Sequence, residues 1–519
     1  MSSVLLFSQY FSSSQETPDK VFSTVPINLL CLASYLKERK IDCKIYELGA
    51  FGSFDIKIEN KRVRCGLSDS EIEEILRKEA PKLVGIGCVY TRHYIDILSL
   101  VKLIKKVDPS IKVVVGGNHA TSYWDTVLQE QEIDFVIRGE GEITFYELCK
   151  NILEGEYNYE TIKGLAYKDN FGNVKNNIAR EFISNLDDLP IPDYDLIDTR
   201  RYVNPVNKSP FAMRYPAIGI ITSRGCPGTC IFCTVRGVWG RSWRGKSAIR
   251  TVDEIELLVK KYGVREIDFL DDSASLDKKR WEGICNEIIK RKIDVKWTTP
   301  NGIAHWTLDK ELIRKMKKSG CYRITFGIES GNLETRGFIR KTHSLEQAKE
   351  VISYANQIGM WTISTNILGF PYEKEESMND TLEFAKKSNV DFAAFYLLAP
   401  HAASDVYKYF KDEGLLDFDF MLNKVTFDEN KFERMNKMLD DRGIDTKYFT
   451  ADEMKSLQLK FYKSFIIHRA ISYIINPLCI LLKIQSFEDF RYSMRLIFVG
   501  IKLFLNSFTK STTKTLLYE

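Results

Sequence analysis

The chain has 519 residues, with 74 Lys and Arg against 70 Asp and Glu, a formal charge of only +4. That balance excludes a polyelectrolyte tail binder and a disordered acidic chain, and 44% apolar with 28% charged residues is the composition of a globular protein. The length predicts more than one domain, and eleven cysteines with no framework spacing and no hydrophobic leader after Met1 predict a reducing compartment, the cytoplasm.

Over residues 1–155, short apolar β-branched runs at 4–7, 43–48, 83–89, 111–116 and 135–138 alternate with amphipathic helical patterns. This predicts an α/β fold, a doubly wound, Rossmann-like parallel sheet. Ligands on such sheets bind beyond the carboxyl ends of the strands, where glycine-rich turns let backbone approach them. The turns here are Gly116-Gly117-Asn118-His119 and Arg138-Gly139-Glu140-Gly141-Glu142. Their spacing alone fits tight strand-to-helix turns equally well.

Residues 156–215 read as a β-hairpin, at 164–175, and a proline-rich linker around Leu189-Pro190-Ile191-Pro192. A second βα series follows, with strands at 217–222, 266–270, 295–298, 323–328, 362–368 and 391–398. It predicts a partial (β/α)6 TIM-type barrel over 216–425, followed by a helical carboxyl-terminal region, 426–519.

Directly after the first barrel strand stands Cys226-Pro227-Gly228-Thr229-Cys230-Ile231-Phe232-Cys233. Three thiolates so spaced on one loop can hold three irons of a [4Fe–4S] cubane and leave the fourth iron open to substrate. Gly225 and Gly228 give the backbone room to curl around the sulfurs. A structural zinc loop is the alternative, but it needs a fourth nearby ligand, and no Cys or His lies between Cys233 and Cys285. The other eight cysteines sit in apolar patterns and read as core.

The loop Ser223-Arg224-Gly225-Cys226 to Cys233, with Phe232 before the last cysteine, resembles the cluster loop of radical S-adenosylmethionine (radical SAM) enzymes. The resemblance implies a cluster that binds SAM and cleaves it to a 5′-deoxyadenosyl radical, fed by an external electron donor such as flavodoxin or ferredoxin. It further implies SAM contacts from Glu329, at the end of Phe326-Gly327-Ile328-Glu329, and from the segment around Gly369. Asp271 and Asp272 stand at the end of the second strand, where the family contacts the methionine amino group; the common Gly-Gly-Glu is replaced there, so only the position carries over.

The first domain resembles the cobalamin-binding domain that precedes this barrel in one large subfamily. The matching segments are 26–39, opening near Asn28, then Gly116-Gly117-Asn118-His119, then 134–142 with Gly139 and Glu140. The D-x-H-x-x-G segment that gives cobalt a histidine is absent, and the six histidines include only His119 at a matched position. The implied reaction is methylation of an unactivated carbon: one SAM methylates reduced cobalamin and a second generates the substrate radical. Another cobalamin-linked radical rearrangement, cyclisation or oxidation is the first alternative. A non-catalytic corrinoid or iron–sulfur carrier is the second.

From Lys455 onward ten basic residues face three acids. One reading is a helical cap with its apolar face on the barrel and Lys/Arg in solvent. The other is an interfacial segment at the inner face of the membrane, with a lipid-like rather than an ordinary small-molecule substrate. The apolar run 470–482 is too short to span a bilayer, and no nucleic-acid-binding module is present.

Overall fold

The computed structural model describes residues 3–14, 24–49, 56–58, 62–169, 171–203, 209, 211–401, 403–416 and 443–506. The polar helices expected from about residue 425, and Lys510 and Lys514, therefore lie wholly or partly outside the described residues. The chain divides into two units, one running to Arg201 and including Gly237–Trp239, the other built from the residues beyond Arg201.

The first unit contains β1 (Val4–Ser8), β2 (Phe11–Ser14), β3 (Cys43–Glu47), β4 (Ile56–Ile58), β5 (Arg62–Cys65), β6 (Leu83–Gly87), β7 (Lys112–Gly116), β8 (Phe135–Ile137), β9 (Leu165–Lys168) and β10 (Val174–Asn176). Its main sheet has the order β10-β9-β8-β7-β6-β1-β3, with the five strands read from sequence all parallel. Val4, Leu5, Leu6 and Phe7 are all buried, the unbroken apolar run of a strand covered on both faces. The helices Ile27–Glu38 and Glu142–Glu154 pack together, as do Asp69–Glu79 and Tyr94–Val107. The predicted hairpin is not part of a linker: β9 pairs antiparallel with β8, so β9 and β10 extend the first sheet. The hairpin is legible locally but its partner is not, since pairing across the intervening helix, Glu142–Glu154, leaves no local trace. A small antiparallel sheet, β2-β5-β4, was also missed, its strands being short and polar.

The second unit contains β11 (Ala217–Ile220), β12 (Ser223–Arg224), β13 (Arg244–Gly245), β14 (Glu266–Phe269), β15 (Lys296–Ile303), β16 (Cys321–Glu329), β17 (Trp361–Leu368) and β18 (Phe392–Leu397). Six strands pair in parallel in the order β11-β14-β15-β16-β17-β18. Several of the following helices start where the sequence supplies a cap: Ser247, Asp277, Asp309 and Ser344 each accept a backbone N–H of the first turn. Phe269, Trp281 and Trp297 meet edge-to-face behind the sheet, with ring centroids 4.9–5.7 Å apart.

The sheet is open, and the carboxyl-terminal helices finish it. Helix Ala451–Ile475 lies along β18, where Tyr462 Oη receives the Phe395 N–H at 3.0 Å and Gln458 Nε2 donates to the Phe395 carbonyl at 2.6 Å. These side chains satisfy an edge that would otherwise present unpaired backbone. Helix Phe487–Asn506 brings Tyr492 to Arg323 at 3.1 Å and to the Phe211 carbonyl, near the amino ends of the strands. Arg469 and Lys483, counted as solvent-facing charges in the cap reading, are buried: Asp391 accepts from Arg469 at 2.9 Å, Lys483 at 2.8 Å and Tyr473 at 2.7 Å. Among the described residues no helix is long and apolar enough to cross a membrane.

Burial alone would raise the Asp391 carboxyl, but Lys483 and Arg469 outweigh it and hold the group below its ordinary value. Its contribution to stability is therefore complete above the usual aspartate range and is lost as pH falls through the folded value. Asp391→Ala leaves two buried cations without a carboxylate and is expected to destabilise this unit by about 3–5 kcal/mol. A urea midpoint equal to that of the unaltered protein would refute that role.

Candidate active site

The chain leaves β11 at Ile220 and turns through Thr222 into β12 before reaching the cysteines. That turn is built around a carboxylate delivered by the end of β14. Buried Asp271 accepts from the Thr222 N–H at 3.1 Å, the Thr222 hydroxyl at 2.9 Å and the Ser223 hydroxyl at 2.5 Å, all through Oδ1. Its neighbour Asp272 accepts the Gly225 N–H at 3.1 Å. Arg280 grips the same turn from the other side, donating to the Thr222 carbonyl at 2.9 Å and hydroxyl at 2.8 Å. The polar atoms of Asp271 and Asp272 that are engaged thus position the cysteine loop. Asp271 Oδ2 is buried with no partner among the described residues, so one acceptor remains there for a ligand donor.

Past Gly225, which is left-handed at φ 86°, the loop folds over its own sulfurs. The Gly228 N–H donates to Cys226 Sγ at 3.4 Å. A Cβ on Gly228 would stand 3.2 Å from Cys226 Sγ and 3.9 Å from Cys230 Sγ, so the space between these sulfurs exists because residue 228 has no side chain. Burial raises the Cys230 thiol and pushes Cys233 up to about 11. Bare thiolates are therefore disfavoured there, whereas metal coordination deprotonates a thiol outright. Among the described residues no three His, Cys, Asp or Glu converge on a single ion. Three thiolates on one loop, with the Gly228 space between two of them, supply the ligands for a cubane in which each thiolate takes a different iron. The donor set fits the cluster.

The loop is anchored into the barrel through Ile231, which accepts from Val406 N–H at 2.9 Å and packs with Ile339, Phe370 and Phe410. Phe232 lies 6.1 Å from the Phe370 ring, which brings the predicted Phe232 and Gly369 segments together. Gly369 is left-handed at φ 92°, and its N–H is taken by Glu373 at 2.9 Å. Burial pushes Glu373 up to about 7.

Glu329 ends β16 in a left-handed conformation, φ 66°, beside a register shift against β17. A non-glycine residue there costs on the order of 1–3 kcal/mol and is held only where its surroundings demand it. Lys341 supplies the demand, donating to Glu329 Oε1 at 2.9 Å; a Cβ on Gly327 would collide with that oxygen at 2.7 Å. Arg336 binds the Ile328 carbonyl at 2.8 Å and fixes the same strand end. Lys341 and Glu329 both act electrostatically on Cys230, so the acid and the cysteine loop share one site. Arg280, Lys341, Arg336 and Glu373 carried no sequence signal, because each acts on backbone or on a partner distant in sequence. His305, at the end of β15, is wholly buried with both ring nitrogens unpartnered among the described residues, and burial lowers it to about 3.

In the first unit the parallel strands reverse direction of progression between β1 and β6, the crevice position of such sheets. Gln9, just past β1, is buried there with Oε1 unpartnered among the described residues. Asn28 is exposed in the first turn of its helix. Gly139, left-handed at φ 74°, has open space where a Cβ would stand. Gly117 closes tightly past the end of β6, where a Cβ would lie 2.6 Å from the Cys88 carbonyl oxygen, whereas one on Gly116 would make only ordinary contact with Ile137 at 3.8 Å. An orphaned acceptor and open backbone at the crevice fit a large polar ligand such as a corrinoid. Two predicted contacts change role. His119 is buried, its Nδ1 3.1 Å from the Thr91 hydroxyl and its ring between Tyr94 and Tyr123, and burial lowers it to about 3. Glu140 is buried and accepts the Ile183 N–H at 2.7 Å. Both side chains have local partners in this structure.

The profile of the radical SAM superfamily matches residues 220–385, and that of the B12 binding domain matches 21–149. An uncharacterized methyltransferase of Pyrococcus horikoshii is 32% identical over 85% of this chain and 87% of its own length. The cytidylyl-2-hydroxyethylphosphonate methyltransferase of Streptomyces wedmorensis is 27% identical over 87% of this chain and 88% of its own. The solved structure of the radical S-adenosylmethionine methyltransferase TsrM from Kitasatospora setae, with cobalamin and a [4Fe–4S] cluster bound, superposes with a TM-score of 0.65 at 15% identity. It covers 89% of this chain and 88% of that one, a likeness of fold.

Gly228→Val is expected to fill the cradle between Cys226 and Cys230 and lower iron and sulfide content after anaerobic reconstitution severalfold, as Cys226→Ala does completely; full loading of either variant would contradict the cluster geometry. For the first unit, electron paramagnetic resonance of bound cob(II)alamin should lack nitrogen splitting from the protein. The spectrum should be unchanged in His119→Ala, and a nitrogen splitting lost in that variant would restore His119 as a ligand.

Proposed function

Because the chain belongs to the radical SAM enzymes that carry an amino-terminal B12-binding domain, we propose that it methylates an unactivated carbon of a small-molecule or lipid-like substrate. The observation that carries the reading is the cysteine loop, pinned by Asp271 and Asp272, with two sulfurs facing each other across Gly228 and Glu329 beside them. Methyltransferase names on both relatives support methyl transfer rather than another radical outcome.

The cofactors are a [4Fe–4S] cluster, S-adenosylmethionine and cobalamin. When bound they supply a 5′-deoxyadenosyl radical and a transferable methyl group, chemistry that belongs to the cofactors themselves. The chain's task is binding, orientation and shielding. Cys226, Cys230 and Cys233 hold three irons. Glu329, fixed by Lys341, and the buried free oxygen of Asp271 are the acceptors for SAM's ammonium and hydroxyl donors. Phe232 and the Gly369 turn form an apolar wall beside them. In the first unit Asn28, Gln9 and the open backbone of Gly139 receive the corrinoid. No buried base is needed, since proton abstraction from such a carbon is out of reach of any side chain. Electrons come from an external donor of the flavodoxin or ferredoxin kind.

Anaerobically reconstituted protein, given SAM, a reductant and candidate extracts, should form 5′-deoxyadenosine and S-adenosylhomocysteine together with a product heavier by one methylene. A cyclised or oxidised product without added carbon would replace methyl transfer by another radical reaction in the same scaffold.

A further inference from the structure

The carboxyl-terminal helices finish the barrel with one face and leave another uncovered. In helix Phe487–Asn506 the buried positions are Asp489, Tyr492, Ser493 and Leu496. Opposite them Phe487, Phe490, Met494, Phe498, Ile501 and Leu505 recur at helical spacing and are all exposed, Phe487 by 75% and Phe498 by 67%. The end of helix Ala451–Ile475, which touches this helix, adds Ile474 and Ile475, exposed by 79% and 77%, and Leu478 follows in the next turn. At about 150–250 Å² per aromatic side chain, Phe487 and Phe498 alone uncover roughly half of the 300–600 Å² that makes up the largest apolar patch on a typical monomer.

Cations border this face. Arg491 and Lys502 fall together on one flank of the stripe at 100° per residue, with Arg491 exposed, while Arg495 beside them is partly buried and donates to the Met213 carbonyl at 3.3 Å. The acids of the same helix are engaged elsewhere: Glu488 accepts from Arg214 at 2.7 Å and Arg265 at 3.3 Å, and Asp489 is buried against Ser486 at 2.8 Å. Buried pairing with Asp391 removes Arg469 and Lys483 from the surface, so the cationic flank is smaller than the composition suggests.

We propose that this face seats the enzyme on an anionic lipid surface, its apolar stripe at the headgroup boundary and Arg491 and Lys502 reaching the phosphates. An apolar stripe bordered by cations on a helix that cannot span is the pattern of an interfacial helix. A second copy of the chain would meet the same cations across a twofold axis, which works against self-association.

The test is flotation of the full-length, cofactor-loaded protein with phosphatidylglycerol-containing vesicles and with pure phosphatidylcholine vesicles. A truncation removing the tail is unsuitable, because Phe461, Tyr462, Phe465 and Lys483 belong to the core. Binding to the anionic vesicles should exceed that to the neutral ones by about tenfold or more, and should fall as salt rises. It should be lost in Phe490→Ser/Phe498→Ser/Ile501→Ser. Arg491→Glu, which touches no core contact, should weaken it severalfold. Iron and corrinoid content, unchanged in both variants, reports an intact fold. Binding to neither vesicle, equal binding to both, or a doubled solution mass that the serine substitutions abolish would overturn the proposal.

Discussion

Everything at the barrel mouth hangs from the pair Asp271 and Asp272. A cluster loop must present its sulfurs at fixed separation before metal arrives, yet the loop itself, with two glycines and no regular hydrogen bonding, has no intrinsic shape. Oδ1 of Asp271 gathers three donors of the preceding turn, and Asp272 takes the amide of Gly225, the residue just before Cys226. Rigidity is imported from β14, which is locked between β11 and β15. A carboxylate left wanting partners in a buried place would be costly, so the three bonds to Asp271 also keep that side chain in position. Arg280 adds a compensating charge nearby, and the result is a loop whose position is set by the sheet rather than by its own sequence.

A second strut works in the same manner three strands away. Glu329 stands in a backbone region that its side chain disfavours, and Lys341, Arg336 and the absent side chain of Gly327 together make that conformation the one that fits. The local cost is borne by interactions made elsewhere, which is how strain persists at sites of function. Because Lys341 neighbours both Glu329 and Cys230, the same cation balances the acid and offsets the negative charge that the cysteine loop gathers.

These struts explain what sequence could and could not disclose. All eleven parallel strands of the two sheets were legible, because they are short runs rich in buried apolar residues that alternate with helical patterns. Cys226, Cys230 and Cys233 were legible because three ligands lie within one loop. Arg280, Lys341 and Glu373 were not, since a lysine or a glutamate in a helix-rich chain looks the same whether it faces water or a strand end. His119 and Glu140 show the converse: they occupy positions that a resemblance marks, yet the turn consumes the ring in packing against Tyr94 and Tyr123 and the carboxylate in binding residue 183. The hairpin at β9 and β10 was seen locally but misplaced, for strand partners are a global property.

The carboxyl-terminal region carries the sharpest difference between composition and structure. A count of ten basic residues on apolar helices suggests charges outside and hydrocarbon inside. The fold inverts part of this. Asp391, at the start of β18, is an acid the barrel must bury, and the tail answers it with Arg469, Lys483 and Tyr473, so two cations go in. Tyr492 goes in for the same reason, to meet Arg323 beneath the sheet. A helix has only one inward face, and once polar anchors such as Asp489, Tyr492 and Ser493 occupy it, the apolar residues at the remaining positions are turned outward. The exposed stripe is thus a consequence of how the barrel's buried charges are neutralised, and the surface it makes is available for a partner that is itself apolar beneath an anionic skin.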